Sequence, residues 1–191
     1  ADDVELILEA HNTGRESIQL DSLVVLDVDA ARGGALELGS PPNRWSFYKH
    51  GWQSWSPTFA RHTDNGLYIN PGGDEYTRKH VPHPDSGTAD LSSEWFTVLS
   101  GLDSHAALLA GFTDGRRALS DIALYMAGTN FQRLAATCYA DGILLQPRER
   151  FLSEPLLVAF SEDPLGLLEH YADQVPARMK ARVPAHVPTG W

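Results

Sequence analysis

The chain has 191 residues, the size of one domain or of one domain with a short appendage. Its residues are 42% hydrophobic and 21% charged, a globular composition that excludes disordered, collagen-like and coiled-coil chains. With 25 acidic against 15 basic side chains the formal net charge is -10. The chain therefore lacks the basic surface that a protein needs to bind nucleic acids or anionic membranes.

The sequence up to Phe160 consists of short apolar runs separated by turn residues. In the first run Val4, Leu6 and Leu8 occupy every second position, with Glu5 and Glu9 among the residues between and after them, and similar runs follow at intervals. Asp-Gly pairs at 114–115 and 141–142 lie between apolar runs, which favours two tight hairpins because such turns need positive φ at both central residues. This spacing predicts a mostly β domain, an antiparallel sandwich.

Two regions depart from the strand pattern. Residues 58–90 are rich in glycine and proline and poor in apolar side chains, which predicts a long, partly packed connection that is functional or disordered. Beyond Phe160, Asp163 can cap a helix that has Pro164 at its first position. Pro176 either stops this helix or restarts a second turn. The helix would bury apolar residues spaced by three and four: Leu167, Leu168, Tyr171, Ala172 and Val175.

The sequence therefore divides into a β domain over residues 1–161, a helix over 162–182 and an extended segment over 183–191. The chain lacks an initiator Met and ends on the large apolar Trp191, so we expect a piece of a longer polypeptide; a natural terminus that packs Trp191 is the alternative. The single cysteine, Cys138, excludes an internal disulfide and favours the cytoplasm. No apolar run approaches the roughly 20 residues that span a bilayer.

A glycan site needs a flat apolar side chain beside amide or hydroxyl groups, and residues 50–57 supply both. Trp52 and Trp55 are three positions apart, so both cannot lie on one face of a regular strand. We expect a bend that buries one indole and projects the other, with Gly51 and Pro57 at its ends. The alternative is that both tryptophans are core anchors.

Other chemistry has weaker support. His80 and His83 are close in sequence, but prolines lie on both sides of His83 and no cysteine is near, so we predict no metal site. Cys138 lies in an alternating apolar run and is expected to be buried rather than nucleophilic. Motifs for a serine nucleophile or a phosphate loop are absent, and we predict no cofactor. The residues alone do not select a pair of catalytic carboxylates.

Four segments resemble, in the same order, the N-terminal part of α-galactosidases of glycoside hydrolase family 36: Lys49 to Pro57, Ser92 to Phe96, Leu108 to Gly115, and Val183 to Trp191. The resemblance covers most of the chain. It implies an antiparallel β-supersandwich similar to galactose mutarotase, then a linking helix, and then the first strand of a (β/α)8 barrel at residues 183–191.

In such enzymes the barrel carries both catalytic aspartates, which hydrolyse terminal α-galactosides with retention through a covalent intermediate. The resemblance therefore implies an α-galactosidase-like parent enzyme and an inactive isolated chain. It assigns Trp55 to the sugar site, reaching toward the barrel, with Trp191 at the bottom of, or beside, the barrel's sugar pocket. Trp52 is a further candidate for substrate binding. The implied partners are the α-galactoside and the barrel itself, with a homo-oligomer left open and neither nucleic acid nor membrane expected.

The sequence leaves two other functions open. A free-standing carbohydrate-binding module would stack Trp52 or Trp55 on a glycan unaided. A mutarotase-like epimerase would need a histidine and a carboxylate in one cleft of the sandwich, and similarity of fold alone does not carry function.

Overall fold

A computed structural model describes residues 2–51, 58–64 and 91–181. These residues form a mostly β domain that ends in one helix, α1, at Pro164–Met179, with single 3-10 turns at Ala30–Arg32 and Pro42–Arg44. The strands, in chain order, are β1 Asp2–Leu6, β2 Glu9–His11, β3 Ile18–Asp29, β4 Trp45–Lys49, β5 Phe59–His62, β6 Leu91–Glu94, β7 Phe96–Gly101, β8 Ala107–Phe112, β9 Ser120–Ala127, β10 Asn130–Leu145, β11 Arg150–Leu152 and β12 Leu156–Ser161.

The strands form two main sheets and a small ribbon. One sheet has the order β1-β12-β8-β7-β4-β5, the second has the order β3-β10-β9-β6, and β2 pairs with β11. Every pairing among the described strands is antiparallel. The predicted fold class, a mostly antiparallel β-sandwich followed by a C-terminal helix, is confirmed.

The core lies between the two sheets. Phe47 and Leu99 of the six-stranded sheet share one buried cluster with Ile122 and Leu134 of the four-stranded sheet. Each of these side chains is inaccessible to solvent. Successive side chains of a strand lie on opposite faces of its sheet, and these four lie on the inner faces, so burial of their apolar surface drives the two sheets together.

Helix α1 covers the opposite face of the six-stranded sheet. Leu167 and Tyr171 are buried there against Val98, Leu109 and Leu157 of the sheet. The predicted N-terminal cap is confirmed, because the Asp163 carboxylate accepts a hydrogen bond from the Gly166 N–H at 3.0 Å. Ala172, predicted to be buried, is exposed.

Pro176 does not end α1, which was one of the two outcomes that the sequence allowed. The helix continues through Pro176 and ends at Met179, where Lys180 follows in the left-handed conformation. Residues 182–191, and with them the predicted extended segment and Trp191, lie outside the described residues. In the part of the chain that is described, no helix combines the length and apolar character needed to cross a membrane.

Both predicted Asp-Gly hairpins are wrong. Asp141 and Gly142 have positive φ, 51° and 76°, but they form a bulge inside β10, where Tyr139 pairs with Ser22 and Ile143 with Leu20. A bulge uses the same backbone conformation as a tight turn without reversing the chain. Asp114 and Gly115 instead begin the connection that carries the chain from β8 in one sheet to β9 in the other.

The tight hairpin lies between β9 and β10. Ala127 pairs with Asn130, which leaves a two-residue loop of Gly128 and Thr129. Gly128 has φ of 58°, and a glycine at the first loop position is typical of a type II′ turn. The predicted connection over 58–90 is also wrong at its start, since Phe59–His62 is strand β5. Residues 65–90 lie outside the described residues.

Candidate functional site

The sequence-predicted sugar site falls on residues that the structure does not describe: Trp52, Trp55 and Trp191. The strands on both sides of the first two are described. Lys49 of β4 pairs with Phe59 of β5, so residues 50–58 connect two neighbouring antiparallel strands at one end of the six-stranded sheet. At the base of this connection the Gly51 N–H donates to the Thr58 hydroxyl at 3.3 Å.

The base of the connection is also bound to the second sheet. The His50 N–H donates to the Ser93 hydroxyl at 2.7 Å, and the His50 carbonyl accepts from the Glu94 N–H at 2.9 Å. The Lys49 ammonium donates to the Ser92 carbonyl at 2.8 Å. Because Ser92, Ser93 and Glu94 belong to β6, the start of the connection is held by both sheets of the sandwich.

A pocket of about 280 Å³ lies beside this base, where α1 meets the six-stranded sheet. The rings of His50, Trp95, Phe96 and Tyr171 form much of its wall, and Phe112, whose side chain lies in the core between the sheets, also lines it. The helix adds Val175 and Met179, and the crossover between the sheets adds Thr113, Asp114 and Gly115. We define these residues as the aromatic pocket. No sequence signal joined them, because they come from four separate segments.

Phe96 is the centre of the aromatic wall. Its ring lies 4.4 Å from the Tyr171 ring and 4.8 Å from the His50 ring, measured between centroids. Burial raises the pKa of Tyr171, whose hydroxyl donates to the Phe112 carbonyl at 2.6 Å. This hydrogen bond fixes the tyrosine ring, so the wall is set by packing before any ligand arrives.

Trp95 lies at the corner where the chain passes from β6 to β7. Its φ is 66°, a left-handed conformation that bulky residues rarely adopt. Backbone hydrogen bonds hold it there, from the Trp95 N–H to the Ser120 carbonyl and from the Phe112 N–H to the Trp95 carbonyl. The six-membered edge of the indole lies on Gly115, where an added Cβ would come within 1.9 Å of the ring. Strain of this kind often marks a functional site.

The pKa values of His50 and Asp114 in the aromatic pocket are both lowered, from different causes. Burial lowers the pKa of His50 and favours its neutral form, although the charge of Glu94 opposes this. The Arg116 guanidinium lowers the pKa of Asp114 to about 2, with help from the N–H groups of Gly115 and Arg116. A neutral imidazole and a tightly bonded carboxylate are suited to binding, since such a carboxylate is a weak proton acceptor near neutral pH.

This arrangement makes stability depend on pH. Because the folded pKa of Asp114 is about 2 against 3.8 for a free side chain, its ionised form stabilises the fold above pH 3.8, and the contribution is lost as pH falls toward 2. We expect Asp114→Asn to lower the free energy of unfolding near neutral pH by about 1–2 kcal/mol, a value reduced by the solvent exposure of Arg116. Urea unfolding of both proteins should show the difference shrinking below about pH 3. A difference that stays constant with pH would contradict this account.

The sequence did not predict that two carboxylates are buried side by side between β6 and β9. Glu94 and Asp121 are opposite each other on β6 and β9, and both are buried. The Tyr139 hydroxyl donates to Asp121 at 3.1 Å, and burial raises the pKa of Tyr139.

Within residues 2–51, 58–64 and 91–181, no three His, Cys, Asp or Glu side chains are placed to hold a metal ion. His80 and His83 lie outside these ranges.

The remaining sequence-predicted residues are readily placed. Cys138 is fully buried, as predicted, and burial raises the pKa of its thiol, which disfavours the nucleophilic thiolate. His62 and His105 are exposed, in line with the expectation of surface histidines, whereas His50 is half-buried in the aromatic pocket.

Comparison with protein-family models and with curated proteins finds no match to this chain.

Proposed function

We propose that this chain is the non-catalytic N-terminal domain of an α-galactosidase-like glycoside hydrolase. In this proposal a (β/α)8 barrel follows α1 and carries the two catalytic aspartates of a retaining mechanism. The order of a β-sandwich and then a helix agrees with the arrangement that the four sequence motifs imply. The cytoplasmic location stays a prediction.

One observation carries the proposal. Residues 50–58, which contain the Trp-Gln-Ser-Trp motif, begin and end on paired strands, and their base is bonded to both sheets. A binding side chain contributes most when the structure beneath it is already rigid, because less conformational entropy is lost on binding. The sandwich is thus suited to present Trp55 to a sugar ring held in a neighbouring domain.

Within this proposal the roles are divided. Trp55 provides an apolar face for the galactose ring, with Trp52 and Trp191 as further binding residues. The barrel supplies the nucleophile and the acid/base residue. The partners are a terminal α-galactoside and, within one polypeptide, the barrel.

Hydrolysis of an aryl α-galactoside tests the proposal. The isolated 191-residue chain should release no aryl alcohol above background, whereas the natural polypeptide that contains it should turn the substrate over. Turnover by the isolated chain would contradict the proposal, as would an inactive natural polypeptide.

The carbohydrate-binding module is the alternative from another class. Isothermal titration of the chain with galactose and raffinose separates the two functions. A module should bind a sugar unaided and give a saturable heat signal, whereas a domain that completes a barrel's site should give little or none.

The aromatic pocket does bring together a histidine and a carboxylate, as an epimerase would require. However, the Asp114 carboxylate is bonded to Arg116 and to two backbone N–H groups, which leaves it a poor base. The geometry therefore favours binding over proton transfer at this pocket.

A further inference from the structure

We propose that the aromatic pocket binds a small neutral aromatic compound that carries a hydrogen-bond acceptor. This proposal goes beyond the proposed function and does not depend on it. The pocket lies between α1 and the six-stranded sheet, and its residues belong to the described part of the chain.

The size and walls of the pocket indicate a single planar ring. Its volume of about 280 Å³ is near the lower end of the range of small-molecule sites. Phe96 and Tyr171 already stack at a centroid distance of 4.4 Å, and the Trp95 ring lies against Gly115 of the crossover from β8 to β9. A further aromatic ring can continue this packing, since offset and edge-to-face contacts between rings are favourable.

The polar groups select against a cation and against a sugar. Both oxygens of Asp114 already accept hydrogen bonds from Arg116, so a cationic ligand would have to displace that guanidinium. A sugar carries hydroxyl groups around its whole rim, and a mostly apolar pocket would leave several of them unpaired. An aromatic ring with one acceptor avoids both costs.

His50 provides the hydrogen-bond donor. Its imidazole lines the pocket, and neither ring nitrogen has a hydrogen-bond partner among the residues that the structure describes. A neutral imidazole carries one N–H, which can donate to a carbonyl oxygen of the ligand. The two backbone hydrogen bonds of His50 fix the position from which the ring projects.

The chain contains its own reporters for a test. It has two methionines, of which Met179 lines the aromatic pocket and Met126 is buried in the core between the sheets. With 13C-methyl methionine, titration with acetophenone should shift the Met179 signal through the ring current and reach saturation, while the Met126 signal stays in place. Methyl cyclohexyl ketone, which has the same acceptor on a saturated ring, should bind more weakly.

Two matched variants locate the site. Val175→Phe fills the pocket and should weaken acetophenone binding by about tenfold or more, whereas Ala172→Phe adds the same ring on the exposed face of α1 and should not. An unchanged Met126 signal shows that each variant is folded; if Val175→Phe fails to fold, the titration of the native chain decides. Absence of a saturable Met179 shift, equal binding of both ketones, or saturation by galactose instead would overturn the proposal.

Discussion

A Glu154→Ala variant is expected to lose about 2–4 kcal/mol of unfolding free energy, because two backbone N–H groups lose their acceptor. Glu154 is inaccessible to solvent, and one of its oxygens accepts from the N–H groups of Arg117 at 2.7 Å and Ala118 at 3.1 Å. The other oxygen faces the Arg117 guanidinium at 3.5 Å. Alanine removes the acceptor for both N–H groups, so the crossover from β8 to β9 loses these hydrogen bonds to the segment before β12 and keeps the one from the Thr113 N–H to the Pro155 carbonyl.

Two further variants show whether the acceptor is the cause. Glu154→Gln keeps one oxygen and should cost less than Glu154→Ala, by urea unfolding. Glu162→Ala removes an exposed carboxylate of the same type and should change the free energy of unfolding by less than about 0.5 kcal/mol. If Glu154→Ala were as mild as Glu162→Ala, the crossover would not depend on this carboxylate.

The second large effect is expected at Gly111, where α1 packs on the sheet. A Cβ at this position would lie 2.6 Å from a Tyr171 ring carbon and 2.9 Å from the Phe96 Cβ. The tyrosine ring is buried and its hydroxyl is bonded to the Phe112 carbonyl, so it cannot move aside freely. We expect Gly111→Ala to destabilise the chain by about 2–3 kcal/mol, mainly by lifting α1 from the sheet.

A double-mutant cycle isolates this contact. In a Tyr171→Ala background the ring is absent and only the close contact with the Phe96 Cβ remains, so Gly111→Ala should cost less than in the native chain. Thermal or urea unfolding of the four proteins gives the coupling free energy between the two positions. Equal costs in the two backgrounds would show that the destabilisation has another source.

The start and the buried face of α1 could be predicted from the sequence, because their signals lie within a few neighbouring residues. Asp163 and Pro164 marked the start of α1 because capping and the fixed φ of proline act inside the first turn. Leu167 and Tyr171 are buried as their spacing indicated, but Ala172, on the border of the same face, is exposed. The spacing sets the face of a helix, while the neighbouring sheet decides how wide a stripe it covers.

The Asp-Gly pairs show where local patterns fail. Positive φ at Asp141 and Gly142 was correctly expected, but a bulge and a hairpin share it, and only pairing with β3 distinguishes them. The crossover that begins at Asp114 is hydrogen-bonded to Glu154, a residue far along the chain. Such long-range partners leave no periodic signal.

The sequence predicted one part of the candidate site, the segment at residues 50–57, but not the aromatic pocket. The Trp-Gln-Ser-Trp motif drew attention to residues 50–57, and the structure shows how the flanking strands hold that connection at its base. The aromatic pocket was not predicted, since it needs Trp95 against Gly115 and Phe96 against Tyr171. These contacts join positions that a single sequence does not connect.

We propose that this domain lends a tryptophan to an α-galactoside site. This claim is tested most directly by the kcat/KM of the natural polypeptide for an aryl α-galactoside, with and without Trp55→Ala. Phe160→Ala, which removes an exposed aromatic ring from β12, is the control. We predict a loss of about tenfold or more for Trp55→Ala with an unchanged Tm, and no loss for Phe160→Ala. Unchanged kcat/KM in the Trp55→Ala enzyme would contradict the claim.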